Sequence, residues 1–326
     1  MRKRILSGMR PTGSLHLGHL VGALKNWVDL QHEYQCFFMI ADWHALMSEY
    51  KDSKKISEYS FDNLLDWLAA GLNPDQSILF KQSDVVEHAE LNLILSIITP
   101  LGWLSRCPTY KEQINELHEK EISTHGFLGY PVLQAADIIL YKADCVPVGE
   151  DQLPHLELCR EIIRRFHYLF KKEIFPEPEA LLTIIPKLAG LDGRKMSKSY
   201  DNFIALSDTP DVIREKIKSM FTDPQRIKRT DPGRPEVCNV YKYYQVFAPK
   251  MKDDVYKECK GADIGCVQDK ERFAEFLIEL LKPHQQRRRD LEKNKDYLEE
   301  VLRKGAEKAR EVAFETFSEV KKAIGI

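Results

Sequence analysis

Two short clusters in this sequence combine residue types that handle phosphate. The first is His16-Leu17-Gly18-His19, behind the turn-rich Arg10-Pro11-Thr12-Gly13-Ser14 and ahead of Leu20, Val21, Leu24 and Val28 at helical spacing. Gly18 lets a ligand approach the backbone closely. The start of a helix offers unpaired N–H groups to a nucleotide phosphate. Two imidazoles one turn apart can donate to phosphate oxygens as charge develops. The plain alternative is that both histidines are cap or surface residues. The second cluster, Lys195-Met196-Ser197-Lys198-Ser199, follows Gly190-Leu191-Asp192-Gly193-Arg194. The glycines allow a mobile loop, and the two ammonium groups can neutralise a departing pyrophosphate. Alone, such lysines form a solvated basic loop; together the two clusters are a very specific pair.

Alternating elements must position these clusters. Ile5-Leu6 begins a strand ending in Ser7-Gly8, and Phe37-Phe38-Met39-Ile40-Ala41 is a continuous apolar run, as in a strand buried on both faces. Phe61, Leu64, Leu65 and Leu68 mark a helix closed by Gly71 and Asn73-Pro74. Ile78-Leu79-Phe80 is a third strand, ending in the polar site candidates Gln82-Ser83, and Leu91 to Ile98 a helix stopped by Pro100. The order predicts an α/β fold, a Rossmann-like parallel sheet covered by helices, with ligands at the carboxyl ends of the strands. From about Leu206 strand-like runs nearly vanish. Phe273, Phe276, Leu277, Leu280 and Leu281 trace an amphipathic helix up to Pro283, and residues 287–324 are rich in Lys, Glu, Arg and Ala. This predicts an all-helical C-terminal domain, with a boundary near Ser207.

The chain has 326 residues, 43% of them hydrophobic, enough for a substantial core in two domains. With 48 basic against 50 acidic residues it is not a nucleic-acid coat. RNA contact would fall to local clusters: Arg226-Ile227-Lys228-Arg229 with Arg234, and Arg287-Arg288-Arg289. Solvated helix faces explain either cluster equally well. Met1-Arg2-Lys3-Arg4 has no long apolar run behind it, so no secretory signal is expected, and no stretch is long enough to cross a bilayer. Seven Cys in a chain of this size suggest a soluble protein in a reducing, cytoplasmic setting.

A third group sits in Tyr130-Pro131-Val132-Leu133-Gln134-Ala135-Ala136-Asp137-Ile138-Ile139-Leu140-Tyr141. Gln134 and Asp137 lie one turn apart on one face. They either bond within the protein or line a pocket in which Asp137 accepts from a substrate N–H or O–H. Phe38, Trp43 and His44 are candidate pocket walls; core packing explains Phe38 equally well, and His44, just past the strand end at Asp42, is favoured.

The two phosphate clusters together are those of the class I aminoacyl-tRNA synthetases. The chain resembles the bacterial-type tryptophanyl-tRNA synthetases over nearly its whole length. The resemblance is carried by the segment 130–141, by Val146-Pro147-Val148-Gly149-Glu150-Asp151-Gln152 with His155 and Glu157, by Ser7-Gly8-Met9-Arg10-Pro11-Thr12-Gly13, and by Asp223-Pro224. It implies activation of tryptophan by ATP with Mg²⁺, then transfer to tRNA(Trp). His16, His19, Lys195 and Lys198 would be catalytic. Met9, Arg10, Thr12, Gly13, Gly18, Gly149, Asp151, Met196, Ser197 and Ser199 would join them around ATP. Tyr130, Gln134, Asp137, Val148, Gln152 and His44 would hold tryptophan, Asp137 taking the indole N–H and Tyr130 and Gln152 the ammonium and carboxylate. It also implies a cytoplasmic homodimer that binds no membrane, with residues 1–206 catalytic and 207–326 reading the anticodon.

The chain departs from the family pattern in two places. Gln134 stands where many of these enzymes have Met, which keeps tyrosine open as the substrate. Some members of this subtype hold a [4Fe–4S] cluster on four Cys. Here Cys238, Cys259 and Cys266 are present, Asp269 takes the fourth position, and the first gap is two residues shorter. An intact cluster, a zinc site and a lost site all stay open. Two other classes compete: a small nucleotidylyltransferase, disfavoured by the long helical domain, and a non-catalytic paralogue, disfavoured by the intact motifs.

Overall fold

The computed structural model describes residues 2–107, 124–182, 188–194, 196 and 200–326. Five parallel strands form one sheet: β1 (Arg4–Met9), β2 (Gln35–Ile40), β3 (Ser77–Lys81), β4 (Cys145–Val148) and β5 (Glu179–Leu182), in the order β3-β2-β1-β4-β5. The three strands expected from sequence are β1 to β3. β2 is buried from Cys36 onward, as its unbroken apolar run requires. β4 and β5 went unforeseen: Pro147 interrupts the first and Glu179 opens the second. The chain leaves β1 toward β2 on one side and returns to β4 on the other, with Ile5 paired to Cys36 and to Cys145. That reversal opens a crevice at the carboxyl ends of β1 and β4, where ligands bind in sheets of this kind.

The helices run in chain order as α1 (Leu17–His19), a π turn (Leu20–Leu24), α2 (Lys25–Leu30), α3 (Asp42–Glu49), α4 (Lys54–Ala70), α5 (Glu87–Ile98), α6 (Leu101–Leu104), α7 (His125–Leu140) and α8 (Leu153–Phe170). After β5 come α9 (Pro210–Ser219), α10 (Asn239–Phe247), α11 (Lys252–Lys260), α12 (Cys266–Glu292) and α13 (Lys295–Ile324). The chain divides into two compact units. The first comprises residues 1–13, 26–184 and 291–326, and the second residues 14–25 and 185–290. Among the described residues no helix is long and apolar enough to cross a membrane.

In the first unit Phe37, Phe80, Val132, Leu140 and Ile162 form a core between sheet and helices. α13 belongs to this core, although it lies far beyond residue 207. Its Ala309, Ala313, Phe317 and Val320 are buried there. Gly305 brings it so close to β3 that a Cβ at that position would lie 1.7 Å from the Leu79 carbonyl oxygen. In the second unit Ile213, Ile217, Val240, Tyr243, Tyr244, Phe273 and Leu277 are buried. Pro283 does not end the helix before it: α12 runs through to Glu292. A proline lacks the backbone N–H and costs one helical hydrogen bond, and the helix tolerates that loss here.

Candidate active site

The carboxyl ends of β1, β2 and β4 and one face of α7 enclose a cavity of about 330 Å³ in the first unit. Tyr130, Gln134, Asp137, Val148, Gln152 and His44, the residues expected to touch tryptophan, all line it, joined by Gly8, Arg10, Met47 and His155. Phe38 does not. It is fully buried and stacks on Trp27 with ring centroids 4.6 Å apart. Trp43 faces a different, open apolar recess with Leu46 and Tyr50.

Asp137 is buried at the wall of this cavity. Its Oδ1 accepts from Gln82 Nε2 at 2.8 Å and from His88 Nδ1 at 2.7 Å, and its Oδ2 from His44 Nε2 at 2.8 Å. Burial by itself pushes the Asp137 carboxyl up. The His88 charge and the hydrogen bonds from both histidines outweigh burial and hold it below the ordinary carboxylate value. The far nitrogen of His88 lies 2.7 Å from the Tyr141 hydroxyl. Burial, with Asp137 and Glu87 nearby, keeps that hydroxyl protonated far above its usual value.

A second network lies at the α8 end of the cavity. The amide oxygen of Gln134 sits 2.9 Å from His155 Nδ1, and the Tyr130 hydroxyl 3.0 Å from His155 Nε2. An amide oxygen only accepts, so Nδ1 carries the proton and Nε2 accepts from Tyr130. Burial lowers the His155 pKa to about 4, against the opposing charge of Asp151, so the ring is neutral at pH 7. The cavity thus pairs an anionic acceptor at Asp137 with neutral hydrogen-bonding groups at Tyr130, Gln134 and Gln152.

In the second unit, His16 and His19 cap α1 reciprocally. His16 Nδ1 accepts from the Gly18 N–H and His19 Nδ1 from the His16 N–H, each at 3.1 Å. The cap reading and the phosphate reading are therefore compatible. With both Nδ1 atoms accepting, neutral imidazoles carry their protons on Nε2, the donor form a phosphate oxygen requires. A Cβ on Gly18 would come within 3.0 Å of the His16 ring and 3.6 Å of Met196 Sδ. Leu191 N donates to Asn202 O at 2.8 Å and Asn202 Nδ2 to Asp192 Oδ1 at 2.9 Å, tying together the two flanks of the second phosphate cluster. Lys195, Ser197, Lys198 and Ser199 themselves lie outside the described residues. Met9, Arg10, Thr12 and Gly13 extend β1 in the first unit; Gly149 and Asp151 follow β4, where Asp151 accepts from Gln152 Nε2 at 2.8 Å.

Cys238, Cys259, Cys266 and Asp269 are all in the second unit but do not fit a metal cluster as placed. Arg226 Nη1 lies 3.9 Å from Cys259 Sγ and 3.8 Å from Cys266 Sγ, and Arg272 pairs with Asp269 at 3.2 Å. Among the described residues no group of three or more His, Cys, Asp or Glu is arranged to hold a metal ion. Arg226 also donates to the Ile264 carbonyl and Arg234 pairs with Asp223. Of the basic residues in the first cluster, Lys228 and Arg229 are exposed.

His88 was missed from sequence; Gln82 was a candidate only as a polar residue at a strand end, and His155 was noted without a role. Gln82 and His88 lie 55 and 49 residues from Asp137 and share no spacing with it. The available signal was position: Gln82 directly follows a strand end, and His88 lies in the first turn of α5, ahead of its apolar run from Leu91.

Residues 2–282 match the family of tRNA synthetases class I (W and Y). The tryptophan–tRNA ligase of Thermotoga maritima is 51% identical over 326 residues, 99% of each chain. That of Aquifex aeolicus is 44% identical and covers 99% of this chain and 100% of its own. Among solved structures, the tryptophanyl-tRNA synthetase of Campylobacter jejuni, complexed with ADP and tryptophan, matches with a TM-score of 0.90 at 34% identity, over 99% of this chain and 100% of the other.

Proposed function

The chain belongs to the class I tRNA synthetases of the tryptophan and tyrosine family, and from that membership we propose its reaction: tryptophan is activated by ATP and then transferred to tRNA(Trp). The observation that carries the choice of substrate is a buried carboxylate, Asp137, held ionised at the wall of a cavity whose apolar lining includes Met39, Ala41, Ile138 and Val148. Such an acceptor takes an indole N–H and rejects phenylalanine, which would leave it unpaired.

In the first step a tryptophan carboxylate oxygen attacks the α-phosphorus of ATP, the bond to the pyrophosphate oxygen breaks, and pyrophosphate leaves. In the second, a hydroxyl of the terminal adenosine of tRNA attacks the activated carbonyl and AMP leaves. Tyr130 and Gln152 hold the ammonium and carboxylate, with Gln134, Val148 and His44 completing the pocket. Met9, Arg10, Thr12, Gly13, Gly18, Gly149, Asp151, Met196, Ser197 and Ser199 surround ATP. His16 and His19 donate Nε2–H to phosphate oxygens, and Lys195 and Lys198 neutralise the leaving pyrophosphate. Mg²⁺, when bound with the nucleotide, would screen the phosphate charge.

Residues 1–206 carry this chemistry and 207–326 read the tRNA, a division by role that does not follow the two compact units. A homodimer in the cytoplasm is part of the proposal. It is supported by Leu93 and Ile97 on α5 and Leu101 at the start of α6, apolar residues at 64%, 76% and 70% exposure that a second copy would cover. No step runs through an iron–sulfur cluster. Iron in oxygen-free preparations would restore that reading of Cys238, Cys259, Cys266 and Asp269, and its absence would close it.

Amino-acid-dependent exchange of labelled pyrophosphate into ATP tests the reaction, with tryptophan, tyrosine and phenylalanine in parallel. Exchange with tryptophan alone is expected. Exchange with tyrosine instead overturns the substrate, and exchange with none overturns the activity.

A further inference from the structure

A carboxylate offers about four lone-pair directions, and at Asp137 the protein already uses three of them. Gln82 and His88 both donate to Oδ1, and His44 donates to Oδ2. One direction is left, on Oδ2. His44 lines the cavity with Asp137, whereas Gln82 and His88 do not. Oδ1 is therefore tied to groups outside the cavity wall, and the remaining acceptor direction belongs to the oxygen on the His44 side. We propose that His88, backed by Tyr141, is the positioning residue that fixes Asp137 as a one-place acceptor for the substrate's ring N–H. This rests on the assignment of the ring N–H to Asp137 made above.

Asp137 can only accept, so His88 Nδ1 carries a proton. The other ring nitrogen, Nε2, is hydrogen-bonded to the Tyr141 hydroxyl 2.7 Å away. His88 and Tyr141 are both fully buried, so water does not replace either link. The Tyr141 ring is wedged between Phe37 and Phe80, with centroids 4.6 Å and 5.5 Å distant, which fixes the hydroxyl and through it the imidazole plane. Without His88, Oδ1 would keep only Gln82, and the carboxylate could turn so that neither oxygen meets the ring N–H in line. Binding of the indole body by apolar contact would survive; recognition of its N–H would not.

The readout is the ratio of kcat/KM for tryptophan to that for β-(3-benzothienyl)alanine, in which sulfur replaces the N–H, measured by pyrophosphate exchange. In the unsubstituted enzyme a preference for tryptophan of about tenfold or more is expected; no preference would overturn the assignment to Asp137 itself. His88→Leu is expected to lower the ratio at least about fivefold, and His88→Gln, which can still donate to Oδ1, to hold it within about threefold of the parent. A parental preference that His88→Leu leaves intact, with both substrates weakened equally, would overturn the positioning role and spare the assignment to Asp137. Should His88→Leu fail to fold, Tyr141→Phe decides: a fall of about twofold or more supports the proposal, and an unchanged ratio overturns it.

Discussion

The hydroxyl of Tyr130 and Nε2 of His155 lie 3.0 Å apart, with the proton on the tyrosine side. The bond commits the Tyr130 proton to the imidazole. It needs a neutral ring, which burial enforces.

That enforced neutrality predicts a pH dependence of stability. The pKa of His155 falls from 6.5 to about 4 on folding, so the unfolded chain binds the extra proton between those values. Stability is then full above pH 6.5 and declines as the pH falls toward 4. The loss attributable to His155 between pH 7 and 5 should be on the order of 2 kcal/mol. Denaturant unfolding of the parent and of His155→Gln at both pH values checks it; equal losses in the two proteins would assign the slope elsewhere.

Asp137 is shifted in the same direction, and its contribution too is lost only as the pH falls. Its pKa is held below the ordinary carboxylate value, so it stays ionised from neutral pH down through that value. Asp137→Ala should raise KM for tryptophan by about 10- to 100-fold and narrow the gap to phenylalanine. An unchanged gap in pyrophosphate exchange would move the specificity determinant elsewhere.

Gly18→Ala should act on chemistry more than on tryptophan binding. Its methyl would press to 3.0 Å on the His16 ring, and the ring must shift, taking its phosphate donor with it. A loss of kcat of about tenfold or more, with tryptophan affinity within twofold, is expected from the misplacement of one donor. Equal losses in kcat and in tryptophan affinity would count against this.

Lys198→Ala should slow adenylate formation by about 100-fold or more while tryptophan affinity stays near the parent value, because the interaction grows only as pyrophosphate departs. Single-turnover rates beside equilibrium tryptophan binding separate the two quantities. A parallel fall in both would remove the lysine from its assigned role.

Gly305→Ala tests the fold. The added methyl would overlap the Leu79 carbonyl at 1.7 Å, so α13 must lift from β3. Destabilisation of about 3 kcal/mol or more is expected, seen as a lower Tm. A parental Tm would show that the helix packs less closely than described.

Much of this was legible in the sequence, because periodicity reports burial directly. The run from Phe37 to Ala41 could only be a strand covered on both faces. Gln134 and Asp137 at one-turn spacing share a face, and both line the cavity while also bonding within the protein. What escaped detection depends on partners distant in the chain. His88 is one polar residue in the first turn of α5, and its role exists only because folding brings Asp137 to it. α13 misled for a compositional reason: its many Lys, Glu and Arg side chains face solvent and mask a stripe at Gly305, Ala309, Ala313, Phe317 and Val320. That spacing was the available clue to its burial.

The first unit is built from three separated stretches of chain, and this has a consequence for biosynthesis. A polypeptide emerges from its amino end and folds as it is made. β3 leaves the ribosome early, but the helix that seats on it at Gly305 follows only after all of 185–290 has been synthesised. Until then the nascent sheet carries an uncovered flank, at which a neighbouring nascent chain could dock in place of α13. Folding of the two units is therefore interleaved rather than sequential, and the interval before α13 arrives is when this protein is most exposed to aggregation.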